Sequence, residues 1–237
     1  MKPFLACLAL CVVLPVLAEE RVADPVTYLA DTSRLFAAQR PKNRTVNIVS
    51  HGHSVPSGYF RTPRVDTFNA YPHLLHVQLK EQHPFAVINV IVTAIGSENS
   101  VAGAARFERD ALSHRPDVVL IDYALNDRRS GLEAARKAWS AMIEQAIARN
   151  VKVILLTPTG DTSAKLDDPA DPLNQHAAQI RQLAAHYGVG LADSLVAFQQ
   201  YVRNGGKLAD LMSQGNHPNR KGHDLVVAEL MKWFPKP

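Results

Sequence analysis

The sequence predicts a single three-layer α/β domain, in which helices cover both faces of a flavodoxin-like parallel sheet of about five strands. Two observations support this fold class. Short runs rich in valine and isoleucine recur along the chain, and longer amphipathic segments separate them. Near-continuous apolar runs are typical of strands buried on both faces. Their alternation with helices favours parallel strands joined by right-handed crossovers.

The predicted elements follow one another in regular order. The strand pattern covers five segments, of which the last is the weakest: 45–50, 85–95, 117–123, 151–157 and 188–192. Helical spacing of apolar residues covers 71–82, 100–113, 131–150, 173–186 and 220–234. Pro116 before a strand and Asn150 after a helix are typical boundary residues. No internal repeat or linker divides these segments, so we expect residues 45–237 to form one domain.

The N-terminus has the pattern of a secretory signal peptide. Lys2 precedes an apolar run over 4–17, and a small residue, Ala18, closes that run before two glutamates. The run is shorter than the roughly 20 residues that a membrane-spanning helix needs. We therefore expect residues 1–18 to be cleaved and the protein to be secreted or periplasmic. Residues 19–44 are expected to form a loose leader.

Cysteine usage and charge exclude several classes of function. Cys7 and Cys11 are the only cysteines, and both lie in the predicted signal peptide. Disulfides, a cysteine nucleophile and cysteine–metal sites are therefore not expected in the exported protein. The net charge is +4, with basic residues scattered along the chain. Without a basic stripe interleaved with aromatics, we expect no nucleic-acid partner. We also expect no membrane insertion after signal cleavage.

Polar residues gather where the predicted strands end. Open parallel sheets bind their ligands at the carboxyl ends of the strands. Four of these ends are polar, reading His51-Gly52-His53-Ser54, Gly96-Ser97-Glu98-Asn99, Asn126-Asp127 and Thr157-Pro158-Thr159. A functional site is therefore expected at this edge of the sheet.

Ser54 is the candidate nucleophile at this edge. A serine hydroxyl needs a base to accept its proton and donors to bind the developing oxyanion. His217, just before the last helix, could act as the base. The backbone N–H of Gly96 and the side-chain amide of Asn126 could act as the donors.

Four blocks of the chain resemble those of the SGNH hydrolases, also called GDSL esterases. They are GHS at Gly52–Ser54, Gly96, ALND at Ala124–Asp127 and QGNHP at Gln214–Pro218. They occur in the family's order, and the resemblance covers nearly all of the chain after the signal peptide.

The resemblance implies the SGNH fold and hydrolysis of a carboxylic ester through an acyl-enzyme. Ser54 would attack the ester carbonyl, and His217 would act as general base. The N–H groups of Ser54 and Gly96 and the side chain of Asn126 would form the oxyanion hole. No cofactor and no metal are implied. Given export and the family's frequent action on polysaccharides, we expect a short acyl ester, such as acetyl on a carbohydrate, with lipid esters and thioesters as alternatives.

The most serious departure from the family pattern is Gln214, which stands where the family has the Asp that orients the catalytic histidine. Replacing a triad Asp by its amide lowers turnover about 10⁴-fold in serine proteases. We expect a neutral acceptor to orient His217, either a backbone carbonyl or the Gln214 oxygen. Asp193 and Asp210 are carboxylate alternatives. His53 replaces the Asp of the G-D-S block, and Ala124 replaces a glycine.

Two other functions stay open from the sequence. His51 and His53 are two residues apart at a strand end, so their side chains are expected on the same side, where they could bind zinc together with His217, His223 or Asp224. A carbohydrate-binding protein that keeps the SGNH fold without catalysis would also explain Gln214. Glu98 and Asp127 could be interpreted as a glycosidase pair, but Asp127 is better explained as bracing its own turn.

Overall fold

The computed structural model describes residues 20–235, so the predicted signal peptide lies outside the described part of the chain. Its centre is a five-stranded sheet in which every pair of neighbours is parallel, in the order β2-β1-β3-β4-β5. The strands are β1 (Thr45–Gly52), β2 (Val87–Val92), β3 (Val118–Asp122), β4 (Lys152–Leu156) and β5 (Gly190–Ala192). The predicted fold class is confirmed.

Helices cover both faces of this sheet. Those within residues 20–235 are α1 (Ala30–Ala37), α2 (Ser54–Ser57), α3 (Tyr71–Gln82), α4 (Ser100–Asp110), α5 (Ala124–Asp127), α6 (Leu132–Ile147), α7 (Pro172–Tyr187), α8 (Ser194–Arg203) and α9 (Arg220–Met231). None of them is both long and apolar enough to cross a membrane. Short 3-10 turns lie at Thr67–Asn69, Leu112–His114 and Leu208–Leu211.

Side-chain alternation along the central strands creates two cores. Ile48 and Leu120 point to the face covered by α1, α3, α8 and α9. Val49 and Val119, each next to one of these residues in its strand, belong to the other core, which α4 and α6 cover. Successive side chains of a strand point to opposite faces, so a strand buried on both sides must be apolar throughout. This is why the continuous valine and isoleucine runs predicted the strands.

The elements that were not predicted include two helices and a hairpin. The leader contains α1, whose Phe36 is buried against the rings of His83 and Phe234. Helix α8 begins after Asp193, whose carboxylate accepts from the N–H of Val196 and so caps the helix. A small antiparallel hairpin, β6 (Met212–Gln214) with β7 (His217–Pro218), precedes α9. This hairpin carries the predicted base to the carboxyl edge of the sheet.

Candidate active site

The turn after β1 determines where Ser54 lies. Gly52 ends the strand, and a Cβ atom on it would lie 2.5 Å from the carbonyl oxygen of Asp122 on β3. Only glycine therefore lets the two strand ends approach this closely. His53 follows as the N-cap of α2, with Nδ1 accepting from the Val55 N–H at 3.3 Å. Ser54 is thus the first residue of a helical turn at the carboxyl end of the sheet.

Ser54 and His217 are in direct contact. The distance from His217 Nε2 to Ser54 Oγ is 3.0 Å, and His217 Nδ1 lies 3.2 Å from the carbonyl oxygen of Phe60. A carbonyl oxygen can only accept, so Nδ1 carries the proton of the neutral ring. Nε2 is then free to accept the proton of the serine hydroxyl. Both side chains are buried, with 6% of the surface of each residue exposed.

Burial also affects the protonation of His217. Desolvation lowers the pKa of its imidazole below the ordinary value, and the neighbouring His53 lowers it further. The hydrogen bond to the Phe60 carbonyl acts in the opposite direction and is weaker than the desolvation. Because the net pKa shift is downward, His217 is neutral at neutral pH. A neutral imidazole is the form that can act as a base.

The carboxylates considered for orienting His217 lie elsewhere. Asp193 accepts from the Thr157 hydroxyl at 2.9 Å and pairs with Arg181 at 2.6 Å. Asp210 accepts from the N–H of Lys207. Neither carboxylate contacts His217, so these two alternatives are wrong. The neutral acceptor on Nδ1 is the Phe60 carbonyl.

Gln214 acts on the His217 imidazole indirectly, through the loop that carries Phe60. Its Oε1 accepts from the Thr62 N–H at 2.9 Å, and its Nε2 donates to Thr62 Oγ1 at 3.2 Å. Thr62 lies two residues after Phe60, so these bonds fasten the loop that carries the orienting carbonyl. Ser213 strengthens the same junction by donating to the Phe60 carbonyl at 3.0 Å.

Gly96 and Asn126, the predicted oxyanion donors, follow β2 and β3 in the chain, Gly96 in a loop and Asn126 within α5. A Cβ atom at Gly96 would lie 2.8 Å from the ring of Tyr59, so a side chain at this position would have to displace that ring. Asn126 Nδ2 donates to the Glu98 carbonyl at 2.8 Å, which holds the amide and leaves its second N–H for a ligand. The N–H of Ser54 is at the start of α2, where helix N–H groups have no intrahelical acceptor.

Buried contacts brace this donor side. Asp127 accepts from the Ser100 N–H at 2.8 Å and from Trp139 Nε1 at 2.7 Å. Its complete burial raises the pKa of the carboxyl above its ordinary value, although both hydrogen bonds act against the rise. Glu98 forms an ion pair with Arg106. Both carboxylates are therefore engaged inside the protein, which does not fit a glycosidase pair.

The geometry does not fit the zinc alternative. β1 ends before His53, so the two-residue spacing does not put His51 and His53 on one side. His51 lies between α4 and β3, with Nδ1 2.8 Å from Thr93 Oγ1 and Nε2 3.1 Å from the Gly103 carbonyl oxygen. Burial lowers the pKa of His51 to about 4. Neither ring nitrogen of His51 is free for a metal.

The remaining histidine and carboxylate of that alternative are also occupied. His223 Nδ1 accepts from the Tyr71 N–H at 3.2 Å, and burial lowers the pKa of His223 to about 3. Asp224 pairs with Arg220 at 3.0 Å on the exposed face of α9. Between residues 20 and 235, no group of three histidine, cysteine or carboxylate side chains is arranged to hold a metal.

Three contributors to the site were not predicted. The Phe60 carbonyl is a main-chain group, and no sequence pattern marks it. Tyr59, whose ring centroid is 5.8 Å from that of His217, packs over Gly96. Asp122 lies 3.3 Å from His53, from carboxylate Oδ1 to Nε2. The sequence did contain a signal for Asp122, because it is a charged residue at the end of an otherwise apolar strand.

A cleft of about 340 Å³, lined by both polar and apolar groups, adjoins the donor side. Asn126 lines it together with Asn216, which directly precedes His217. Arg128 and Arg129 contribute cationic donors, and Arg128 is also paired with Asp161 at 2.6 Å. Such a lining offers amide and guanidinium hydrogen bonds close to the reacting groups.

Comparison with known proteins agrees with this geometry. The family model described as GDSL-like Lipase/Acylhydrolase matches residues 51–225. No curated protein matches the sequence. A solved two-domain esterase active on acetylated mannans, co-crystallised with mannopentaose, is 20% identical with a TM-score of 0.72. The alignment covers 91% of this chain and 54% of the esterase, so the chain spans about half of that protein.

A second solved structure is similar over nearly its whole length. Axe2, an acetylxylan esterase from Geobacillus stearothermophilus, is 19% identical with a TM-score of 0.69. The alignment covers 79% of this chain and 93% of Axe2. At these identities the structural likeness establishes a shared fold. Together with the match over residues 51–225, it shows that the chain belongs to the GDSL-like lipase/acylhydrolase family, the SGNH hydrolases.

Proposed function

We propose that this chain is an exported serine esterase that removes short acyl groups, foremost acetyl, from carbohydrate esters. The observation that carries the proposal is the 3.0 Å contact between Ser54 Oγ and His217 Nε2, with Nδ1 held by the Phe60 carbonyl. This arrangement leaves the basic nitrogen facing the hydroxyl. No cofactor is required.

The reaction proceeds in two steps. As Ser54 Oγ bonds to the ester carbonyl carbon, its proton moves to His217 Nε2. His217 then returns that proton to the departing alcohol, and the acyl group stays on Ser54. In the second step, His217 takes a proton from water, the resulting hydroxide bonds to the acyl carbon, and Ser54 leaves with the proton.

Negative charge develops on the carbonyl oxygen in both steps. The N–H groups of Ser54 and Gly96 and the free N–H of Asn126 Nδ2 would bind it. Donors that are held in place before the reaction are the most effective ones. The bond from Asn126 Nδ2 to the Glu98 carbonyl provides this preorganisation.

Two features support a small acyl group on a sugar. The Tyr59 ring closes the space beside Gly96 and His217, which favours a short acyl chain. The cleft at Asn126 and Asn216 suits a polyhydroxylated alcohol. The similar structures include an esterase active on acetylated mannans and an acetylxylan esterase. Export, inferred from the signal-peptide pattern, would bring the enzyme to such polysaccharides.

The first test is hydrolysis of p-nitrophenyl acetate by the full-length protein, by its Ser54→Ala variant and by a sample treated with EDTA. We expect activity to disappear only in the Ser54→Ala variant. Unchanged activity in Ser54→Ala, with loss in EDTA, would instead identify a metal hydrolase. A wild-type protein that binds xylo- or manno-oligosaccharides but neither hydrolyses the ester nor reacts with a fluorophosphonate would be a binding protein.

Substrate class and export need their own measurements. We expect acetyl release from acetylated xylo- or manno-oligosaccharides, and slower hydrolysis as the acyl chain of p-nitrophenyl esters lengthens. Faster cleavage of long-chain esters would contradict the short-acyl assignment. Sequencing the N-terminus of the exported protein should give Glu19 as its first residue, following cleavage after Ala18.

A further inference from the structure

Ser54 Oγ contacts two imidazole rings, and only one of them has a role in the reaction described so far. His217 Nε2 is 3.0 Å from the hydroxyl oxygen, and His53 Nδ1 is 3.4 Å from it. Only 1% of the surface of His53 is exposed. Whether a buried imidazole next to a nucleophile can act as a base depends on which of its nitrogens carries a proton.

Backbone geometry determines which nitrogen of His53 carries the proton. The Val55 N–H donates to His53 Nδ1 at 3.3 Å. A backbone N–H can only donate, so Nδ1 has no proton in the resting enzyme. The proton of the neutral ring is then on Nε2. The Nδ1 lone pair, which accepts from the Val55 N–H, also lies near Ser54 Oγ, so it can take the serine proton only when it releases that bond.

The proton on Nε2 faces a carboxylate. Asp122 Oδ1 lies 3.3 Å from His53 Nε2, at an angle that departs from a straight hydrogen bond. Nε2 has no other polar partner among residues 20–235. A buried N–H requires an acceptor, and a carboxylate at this distance can serve as one after a small rotation of the ring. The Tyr71 hydroxyl holds the other oxygen of Asp122 at 3.2 Å.

We propose that His53, backed by Asp122, is a second base for Ser54 in the esterase proposed above, on which this inference rests. Protonation of His53 at Nδ1 creates a cation whose Nε2–H faces the Asp122 carboxylate, whereas in the cation formed on His217 the Nδ1–H faces the Phe60 carbonyl. An opposite charge close by favours the charged form of an imidazole. A carboxylate-backed imidazole therefore lies beside Ser54 at His53, whereas His217 has a carbonyl in that place.

Burial limits this second base to one step. Ser54 can transfer its proton to His53 Nδ1 as Oγ bonds to the acyl carbon, and this displaces the long hydrogen bond from Val55. His53 lies beneath the serine and cannot reach the departing alcohol or an incoming water. Protonation of the alcohol and deacylation therefore stay with His217. Without His217, the enzyme should form the acyl-enzyme and then stop.

The test uses His217→Ala and p-nitrophenyl acetate, whose leaving group departs as phenolate without needing a proton. In the acylation, the Ser54 Oγ–carbon bond forms, the aryl ester bond breaks and the proton rests on His53. We expect a burst of one p-nitrophenolate per enzyme followed by very slow turnover. Mass spectrometry should find one acetyl group on Ser54.

Two further variants in the His217→Ala background test the pair. His53→Asn keeps a side-chain oxygen that can cap α2 but cannot take a proton. Asp122→Asn removes the charge while keeping an oxygen for His53. Because a positioned base is worth roughly 10²–10⁴ in rate, we expect each variant to slow the burst at least about tenfold. Asp117→Asn, at the opposite end of the same strand, is the matched control and should leave the burst unchanged.

The same substitutions with His217 present separate a base from a structural support. A structural role for Asp122 would slow acylation equally in both backgrounds, whereas a second base is much less important when His217 remains. Equal effects in the two backgrounds would overturn the proposal. So would a His217→Ala burst that His53→Asn leaves unchanged, or a folded His217→Ala without a burst. These results differ from failure of the esterase itself, in which wild-type Ser54 would not be acetylated at all.

Discussion

The two sides of the candidate site are held by contacts of different kinds. On the donor side, Asp127 is completely buried and joins Ser100 of α4 to Trp139 of α6. On the base side, the contacts between Gln214 and Thr62 that fasten the loop are exposed to solvent. Oxyanion donors must lie at fixed distances from the developing negative charge. A base mainly needs its proton on the correct ring nitrogen. The rigid contacts lie where the chemistry depends most on position.

The largest loss of activity is expected from Asn126→Ala, which removes a donor from the oxyanion hole. Removing one oxyanion donor typically lowers turnover about 10²–10³-fold. We expect a loss of that size in kcat with little change in KM, measured with p-nitrophenyl acetate. Asn89→Ala, which removes an exposed amide from β2, is the control. A loss of less than about tenfold in kcat would mean that Asn126 does not bind the oxyanion.

The brace beneath the donors is tested by Asp127→Ala. This change leaves the N–H groups of Ser100 and Trp139 buried without their acceptor, at a cost of about 1–3 kcal/mol each. We expect the free energy of unfolding in urea to fall by about 2–6 kcal/mol. Asp167→Ala, which breaks an exposed ion pair with Arg203, should change it by less than about 1 kcal/mol. A change at Asp127 as small as that of the control would refute the bracing role.

The base side is tested at Gln214. Gln214→Ala removes two exposed hydrogen bonds to Thr62, so we expect kcat to fall about fivefold, which corresponds to about 1 kcal/mol. Gln214→Asp should not exceed wild-type activity. The Phe60 carbonyl already holds His217 Nδ1, and the shorter aspartate side chain loses the hydrogen bonds to Thr62. A gain of tenfold in Gln214→Asp would show that a carboxylate, rather than Phe60, is what His217 needs.

The smallest expected effect concerns pH. The base must be neutral, and burial lowers the pKa of His217 in the folded protein. Activity should therefore persist below the ordinary histidine pKa of about 6.5 and decline only at lower pH. The acidic limb of kcat/KM for p-nitrophenyl acetate measures this. A midpoint at or above that value would mean that desolvation does not control the protonation of His217.

Much of this architecture could be predicted because it rests on patterns that the sequence displays directly. Continuous apolar runs indicated five parallel strands, and their carboxyl ends indicated which polar residues would meet. The expectation that all five are buried was wrong for β2, which lies at the edge of the sheet with Val87 and Val92 exposed. The meeting of Ser54 and His217 could be inferred in this way.

The group that orients His217 could not be inferred, because the Phe60 carbonyl is main chain and every residue has one. The position of His53 was also missed, since the strand ends one residue earlier and helical geometry replaces strand alternation. Helix α8 was missed although the Asp193 cap was available as a signal.

The distance along the chain between Ser54 and His217 has a consequence for folding. Their contact joins residues 163 positions apart, and the bond between His217 and Phe60 spans 157. Contacts of such range form after local ones, because closing a long loop costs chain entropy before any contact compensates for it. Recovery of acyl transfer during refolding should therefore lag behind the helical signal. The return of acyl transfer therefore marks the time at which the N-terminal and C-terminal parts of the domain have come into contact.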